Sequence, residues 1–115
     1  MTDKAERMAA ILQRTKLAFM DDSRVKMEQL HRAFVEWERG AAEPDRTAGT
    51  AYRIAHSMKG LALTLSLPAI DEACERMLGF ILQQEGQVWT AEKLESLRLM
   101  ANRLETAVAE ADDAG

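Results

Sequence analysis

One cysteine, two prolines, six glycines and 5% aromatic residues are all that this chain holds of the residue types that staple, interrupt or layer a fold. With Cys74 as the sole thiol no internal disulfide can form, so the core must hold the fold, and a reducing cytosol is the expected compartment. Scarce Gly and Pro leave long stretches uninterrupted, and with few aromatics this favours helix over sheet. Long apolar runs are missing too. None approaches the roughly 20 residues that span a bilayer, and the opening MTDKAERM lacks a signal peptide's hydrophobic segment, so no membrane insertion is expected. Nor is there an excess of positive charge. Fifteen Lys and Arg against 19 Asp and Glu give a net charge of −4, which argues against a surface that tracks nucleic-acid phosphates. Nothing resembles a nucleotide-binding loop, a catalytic triad or a zinc set.

What is present is a globular composition, 47% hydrophobic and 30% charged, in a chain about the size of one domain. Its apolar residues recur at alternating spacings of three and four. Ser23, Met27, Leu30, Phe34 and Trp37 form one stripe, and Ala5, Met8, Leu12, Thr15 and Phe19 continue it upstream in a shifted phase. With MDDS between them as a cap or stutter, residues 4–39 read as one bent helix or as two. Gly40 and Pro44 end this segment. A helix over 47–66 follows, with Ala51, Ile54, Met58, Leu61, Ala62 and Leu65 inward. Leu67-Pro68 then starts a helix over 68–84 with Ile70, Cys74, Met77 and Ile81 inward. Thr90 is placed to cap a last helix over 91–111, whose stripe is Leu94, Leu97, Met100 or Ala101, Leu104 and Val108. Short connections favour antiparallel neighbours. The expected fold is all-α, an antiparallel up-down four-helix bundle over 19–111 with an N-terminal helical extension over 1–18 and a disordered tail over 112–115.

One polar residue of the 47–66 helix stands apart. At about 100° per residue, His56 lies roughly 175° from the centre of the apolar arc and faces away from the core. Within about 60° of it lie Gly49, Tyr52, Arg53, Lys59, Gly60 and Leu63. Neutral imidazole carries an unprotonated nitrogen that can attack phosphorus. Lys59, one turn on, can neutralise a phosphoryl group, and Arg53, one turn back, can assist. Gly60 costs about 1 kcal/mol against alanine in mid-helix, so it is expected where bare backbone lets a partner approach the imidazole. Outward-facing Leu63 and Tyr52 offer such a partner an apolar footing.

AHSMKG, residues 55–60, resembles the phosphoacceptor motif of histidine-containing phosphotransfer (HPt) domains, especially those of chemotaxis-type histidine kinases, with His56, Met58, Lys59 and Gly60 matching it. FMDDSRVKMEQLHRAFVEW and LPAIDEACERML are similar to the family's helices before and after the histidine, so the likeness covers roughly residues 19–85. The resemblance implies a bundle whose histidine accepts a phosphoryl group on Nε2 from a kinase or a receiver aspartate and passes it to a receiver, with no kinase activity of its own. It also implies that no cofactor is bound and that the partner receiver supplies Mg²⁺. Chemotaxis-type members orient the imidazole through a carboxylate on the next helix, for which Glu75 is the nearest candidate, with Glu72 behind it. Leu63 and Ser66 depart from the small residues common in the family after the motif, which bears on the choice of partner.

Two other readings compete. Glu28 and His31 form half of a di-iron bundle's Glu-x-x-His pattern, but no second copy exists and His56 points outward. A docking module of the same fold, unable to take up phosphate, would bind receiver or kinase domains without transfer. His31 is given no role; Trp37, Trp89 and the seven methionines read as packing or loop anchors.

Overall fold

The computed structural model describes residues 3–114, which form four helices and no strand: α1 (Lys4–Glu38), α2 (Pro44–Thr64), α3 (Pro68–Gln83) and α4 (Ala91–Ala114). Asp3 caps α1 by accepting the Glu6 amide at 2.8 Å. The MDDS stretch is neither cap nor stutter. Asp21 and Asp22 point outward and pair with Arg24 and Lys26 of the next turn, while Ser23 faces the core. A polar tetrapeptide thus divides between two faces of one continuous helix.

Gly40 ends α1 with φ +75°, its amide bonding Trp37 O at 3.0 Å while the Ala41 amide bonds Glu36 O at 2.8 Å. This is a Schellman motif, which requires a left-handed residue. The loop is shorter than expected because Pro44 opens α2 instead of merely following α1; at a first helical position its missing amide costs nothing. The same motif closes α2. Ser66 has φ +61°, its amide bonds Leu63 O at 3.1 Å and that of Leu67 bonds Ala62 O at 2.9 Å. Pro68 then starts α3. Thr90 caps α4, its hydroxyl accepting the Lys93 amide at 3.2 Å. The tail expected over 112–115 is helical as far as Ala114, and Asp112 takes a 2.7 Å ion pair from Arg24. Gly115 lies outside the described residues.

Leu30 and Phe34 of α1, Met58 of α2, Ile70, Cys74 and Met77 of α3, and Leu94, Leu97, Leu104 and Val108 of α4 make the core. Met27, Ile81 and Met100 only flank it, while Ala101 is buried. Leu61, expected inside, is 42% exposed. The reason lies in the alanines of α2. Ala48 and Ala55 are buried along with the expected Ala51 and Ala62, and they centre the inward arc about 30° from where the expected set places it. Alanine signals little in a hydropathy pattern, but it lets a neighbouring helix approach closely.

α1 and α4 run antiparallel along a seam pinned at both ends. Arg98 pairs with Glu38 and lies over the Phe34 ring at 5.8 Å near one end, and Arg24 pairs with Asp112 at the other. The hydroxyl of Thr47 bonds Ala33 O at 3.4 Å, which sets the register of α2 on α1. Extended by that register, α2 reaches α1 only as far back as about residue 16. Upstream, Met8, Ile11 and Leu12 are each about half exposed, as is Leu17 at the limit itself, and Phe19 is the first core residue. The projecting arm accounts for dimensions of 59 × 25 × 18 Å and a radius of gyration of 16.1 Å, against the roughly 13 Å of a compact 100-residue domain.

Candidate functional site

The rotation of the α2 arc moves His56 as well. It brings the imidazole from the back of the helix to the shoulder that faces α3, where it stands exposed above a groove between the two helices. The groove has a volume of about 970 Å³. Tyr52, His56, Lys59 and Gly60 line one wall, and Glu72, Glu75, Arg76, Leu78, Gly79 and Leu82 line the other. Four of the residues expected from sequence on α2 are therefore brought together, and Glu75 faces them from α3.

Their contacts differ from expectation in two respects. Glu75 does not reach His56: its carboxylate holds the Lys59 ammonium at 3.1 Å, and no hydrogen bond joins the imidazole to another of the described residues. The antiparallel register explains this. Lys59 opposite Glu75 sets Leu78 near His56, so the position from which an acid would reach the ring is apolar and buried. The ring has instead an aromatic neighbour. Tyr52, one turn back on the same helix, stacks on it with ring centroids 5.8 Å apart and planes inclined by 20°.

Arg53 is the second departure. It lies at the back of α2, and its guanidinium turns back to donate to Thr50 Oγ1 at 3.2 Å, beside Gly49. It does not line the groove. Leu63 is 61% exposed, two turns beyond His56 and past the end of the groove. Glu72 is taken up by Arg76 at 2.9 Å.

Gly60 meets the expectation of open backbone, for a Cβ there would have no heavy atom within 4 Å. Gly79 shares this property, sits inside α3 and lines the groove opposite His56. Sequence reasoning missed it, although the signal was the one used for Gly60: a glycine in mid-helix that no turn requires. Its partner on the facing helix was the information the sequence withheld.

A family model for the Hpt domain matches residues 16–111. The chain belongs to the Hpt family. Searches of curated proteins and of solved structures returned no match. Membership carries with it the family's business, histidine phosphotransfer in phosphorelays with receiver or kinase partners, and the four-helix architecture agrees with it. The match begins where the bundle begins, so the arm of α1 up to Thr15 lies outside the Hpt segment. His56 is one of two histidines in that segment. The other, His31, is exposed on α1 beside Glu28, in a groove against α4 that also holds Glu105 and Asp112. Among the described residues no three His, Cys, Asp or Glu side chains converge as a metal site would require, and no helix is long and apolar enough to cross a membrane.

Proposed function

We propose that this Hpt domain is a phosphoryl carrier and that His56 is its phosphoacceptor. The observation behind this reading is the setting of His56, an exposed imidazole over a groove whose near wall adds a lysine and a side-chain-free glycine. An imidazole nitrogen, Nε2 by the resemblance, attacks the phosphorus of a receiver's aspartyl phosphate or of a kinase-bound nucleotide. The new N–P bond forms as the P–O bond to the carboxylate or nucleotide breaks, and that oxygen keeps the electron pair. Return transfer to a receiver aspartate reverses the step. The chain's part is alignment and charge neutralisation, on which phosphoryl transfer chiefly depends. Lys59 supplies the charge, exchanging Glu75 for the more highly charged phosphoryl group. Gly60 and Gly79 leave room for the partner's loop, and Tyr52, Leu82 and Leu63 give it apolar contact. Mg²⁺ comes with the receiver, and transfer takes place in the cytoplasm.

The test is transfer from phosphorylated receiver domains in Mg²⁺ to the wild type and to His56→Gln, scored as acid-labile phosphohistidine. Labelling of the wild type and none of the variant is expected, with stability changed by less than about 0.5 kcal/mol because the position is exposed. A labelled variant would move the acceptor to His31. The hold of Glu75 on Lys59 favours one second reading, a docking module that binds receivers without transfer. Receiver binding by both proteins with labelling of neither would establish it.

A further inference from the structure

The stack between Tyr52 and His56 carries an inference that rests on the carrier reading and goes beyond it. A surface imidazole on a helix normally samples several rotamers and offers its attacking nitrogen in the right direction only part of the time. Of three neighbours across and along the groove, one is placed to restrain this imidazole. Glu75 is committed to Lys59, Leu78 has no polar atom to offer, and Tyr52 lies nearly parallel to the ring at 5.8 Å between centroids. Tyr52 is itself anchored, half-buried and packed against the core cluster, so it forms a fixed wall. Residues four apart on a helix share a face, which is why the two rings meet.

We infer that Tyr52 is the positioning residue of His56: its ring, in place of a hydrogen-bonding carboxylate, holds the imidazole in the orientation from which it attacks phosphorus. The stacking face does this and the hydroxyl does not, so phenylalanine serves as well as tyrosine. Positioning of this kind is distinct from docking, because it acts on any phosphoryl donor, including one too small to touch the bundle's surface.

Phosphoramidate separates the two roles. Its P–N bond breaks to release ammonia as the imidazole nitrogen forms its own bond to phosphorus, and it makes no use of a protein interface. Rates of phosphohistidine formation are measured with phosphoramidate and with a phosphorylated receiver, for wild type, Tyr52→Phe and Tyr52→Leu. Tyr52→Leu is expected to be slower by about tenfold with both donors, and Tyr52→Phe to stay within about twofold of wild type. A Tyr52→Leu protein slowed only with the receiver would overturn positioning and leave Tyr52 a docking residue. Wild type unlabelled by both donors would instead bring down the carrier reading, and this inference with it. A measurement on wild type guards against a variant that fails to fold. Nuclear Overhauser contacts between the two rings, with ring-current shifts on the His56 protons, are expected, and their absence overturns the proposal.

Discussion

Lys59 is one ammonium with two claimants. In the resting structure Glu75 holds it at 3.1 Å, both side chains being 41–58% exposed, and in the proposed transfer the phosphoryl group takes it. A pair of this exposure is worth about 0.2–1 kcal/mol, or a factor of about 1.5 to 5 in an equilibrium. Glu75→Gln should therefore raise the rate of His56 labelling by up to about fivefold and leave stability within about 0.5 kcal/mol, whereas Lys59→Ala should lower the rate. Single-turnover labelling and urea titration read the two quantities separately. A slower Glu75→Gln protein would restore Glu75 as the imidazole's own partner. The residues of this site on α2 were legible because they share one helix, where about 100° per residue converts spacing into direction. The partner of Glu75, and Leu78 and Gly79 altogether, were not, since their relation to His56 depends on how two helices are set against each other.

At the scale of elements, the sequence showed four apolar stripes and the stops between them, but left one boundary open and read two too strictly. MDDS left one helix or two open because it is polar, and a single helix accommodates it by turning two acids outward and a serine inward. Pro44 looked like a terminator and is an initiator. The acidic end looked frayed, but it is helical as far as Ala114, with Asp112 paired to Arg24. The two Schellman caps offer a direct comparison, for α1 closes with Gly40 and α2 with Ser66 at nearly the same φ. A left-handed residue with a side chain is disfavoured by about 1–2 kcal/mol, part of which glycine returns as unfolded-chain entropy. Ser66→Gly should thus stabilise the domain by about 0.5–1 kcal/mol, seen as a higher urea midpoint at unchanged slope. A lower midpoint would mean that the serine hydroxyl holds the cap by a bond of its own. The arm gives the opposite expectation. Because Met8, Ile11 and Leu12 are half exposed, removing residues 1–15 should change stability by less than about 1 kcal/mol. A loss of several would show the arm packed on the bundle in solution.

For the whole molecule, the core makes one pH-dependent contribution that can be worked out in sign. Burial pushes the Cys74 thiol up to about 12, with Asp71 acting in the same direction. An unfolded cysteine titrates near about 8.5, so the folded state keeps a proton that the unfolded state gives up. The stability from this neutral thiol is complete below about pH 8.5 and declines as pH rises towards about 12. Urea midpoints at about pH 8 and about pH 10.5 should fall further for wild type than for Cys74→Ala, and thiol reagents should react only as the protein unfolds. Equal falls would place the alkaline sensitivity elsewhere.

The projecting half of α1 also decides how the protein travels through a column. A body 59 Å long and 18 Å thin drags more solvent than a sphere of its 12.9 kDa mass, so a monomer should elute early, near the volume of a larger globular standard. Read against such standards it would pass for a dimer. Sedimentation velocity, which separates friction from mass, would return a frictional ratio well above a sphere's and the mass of a single chain.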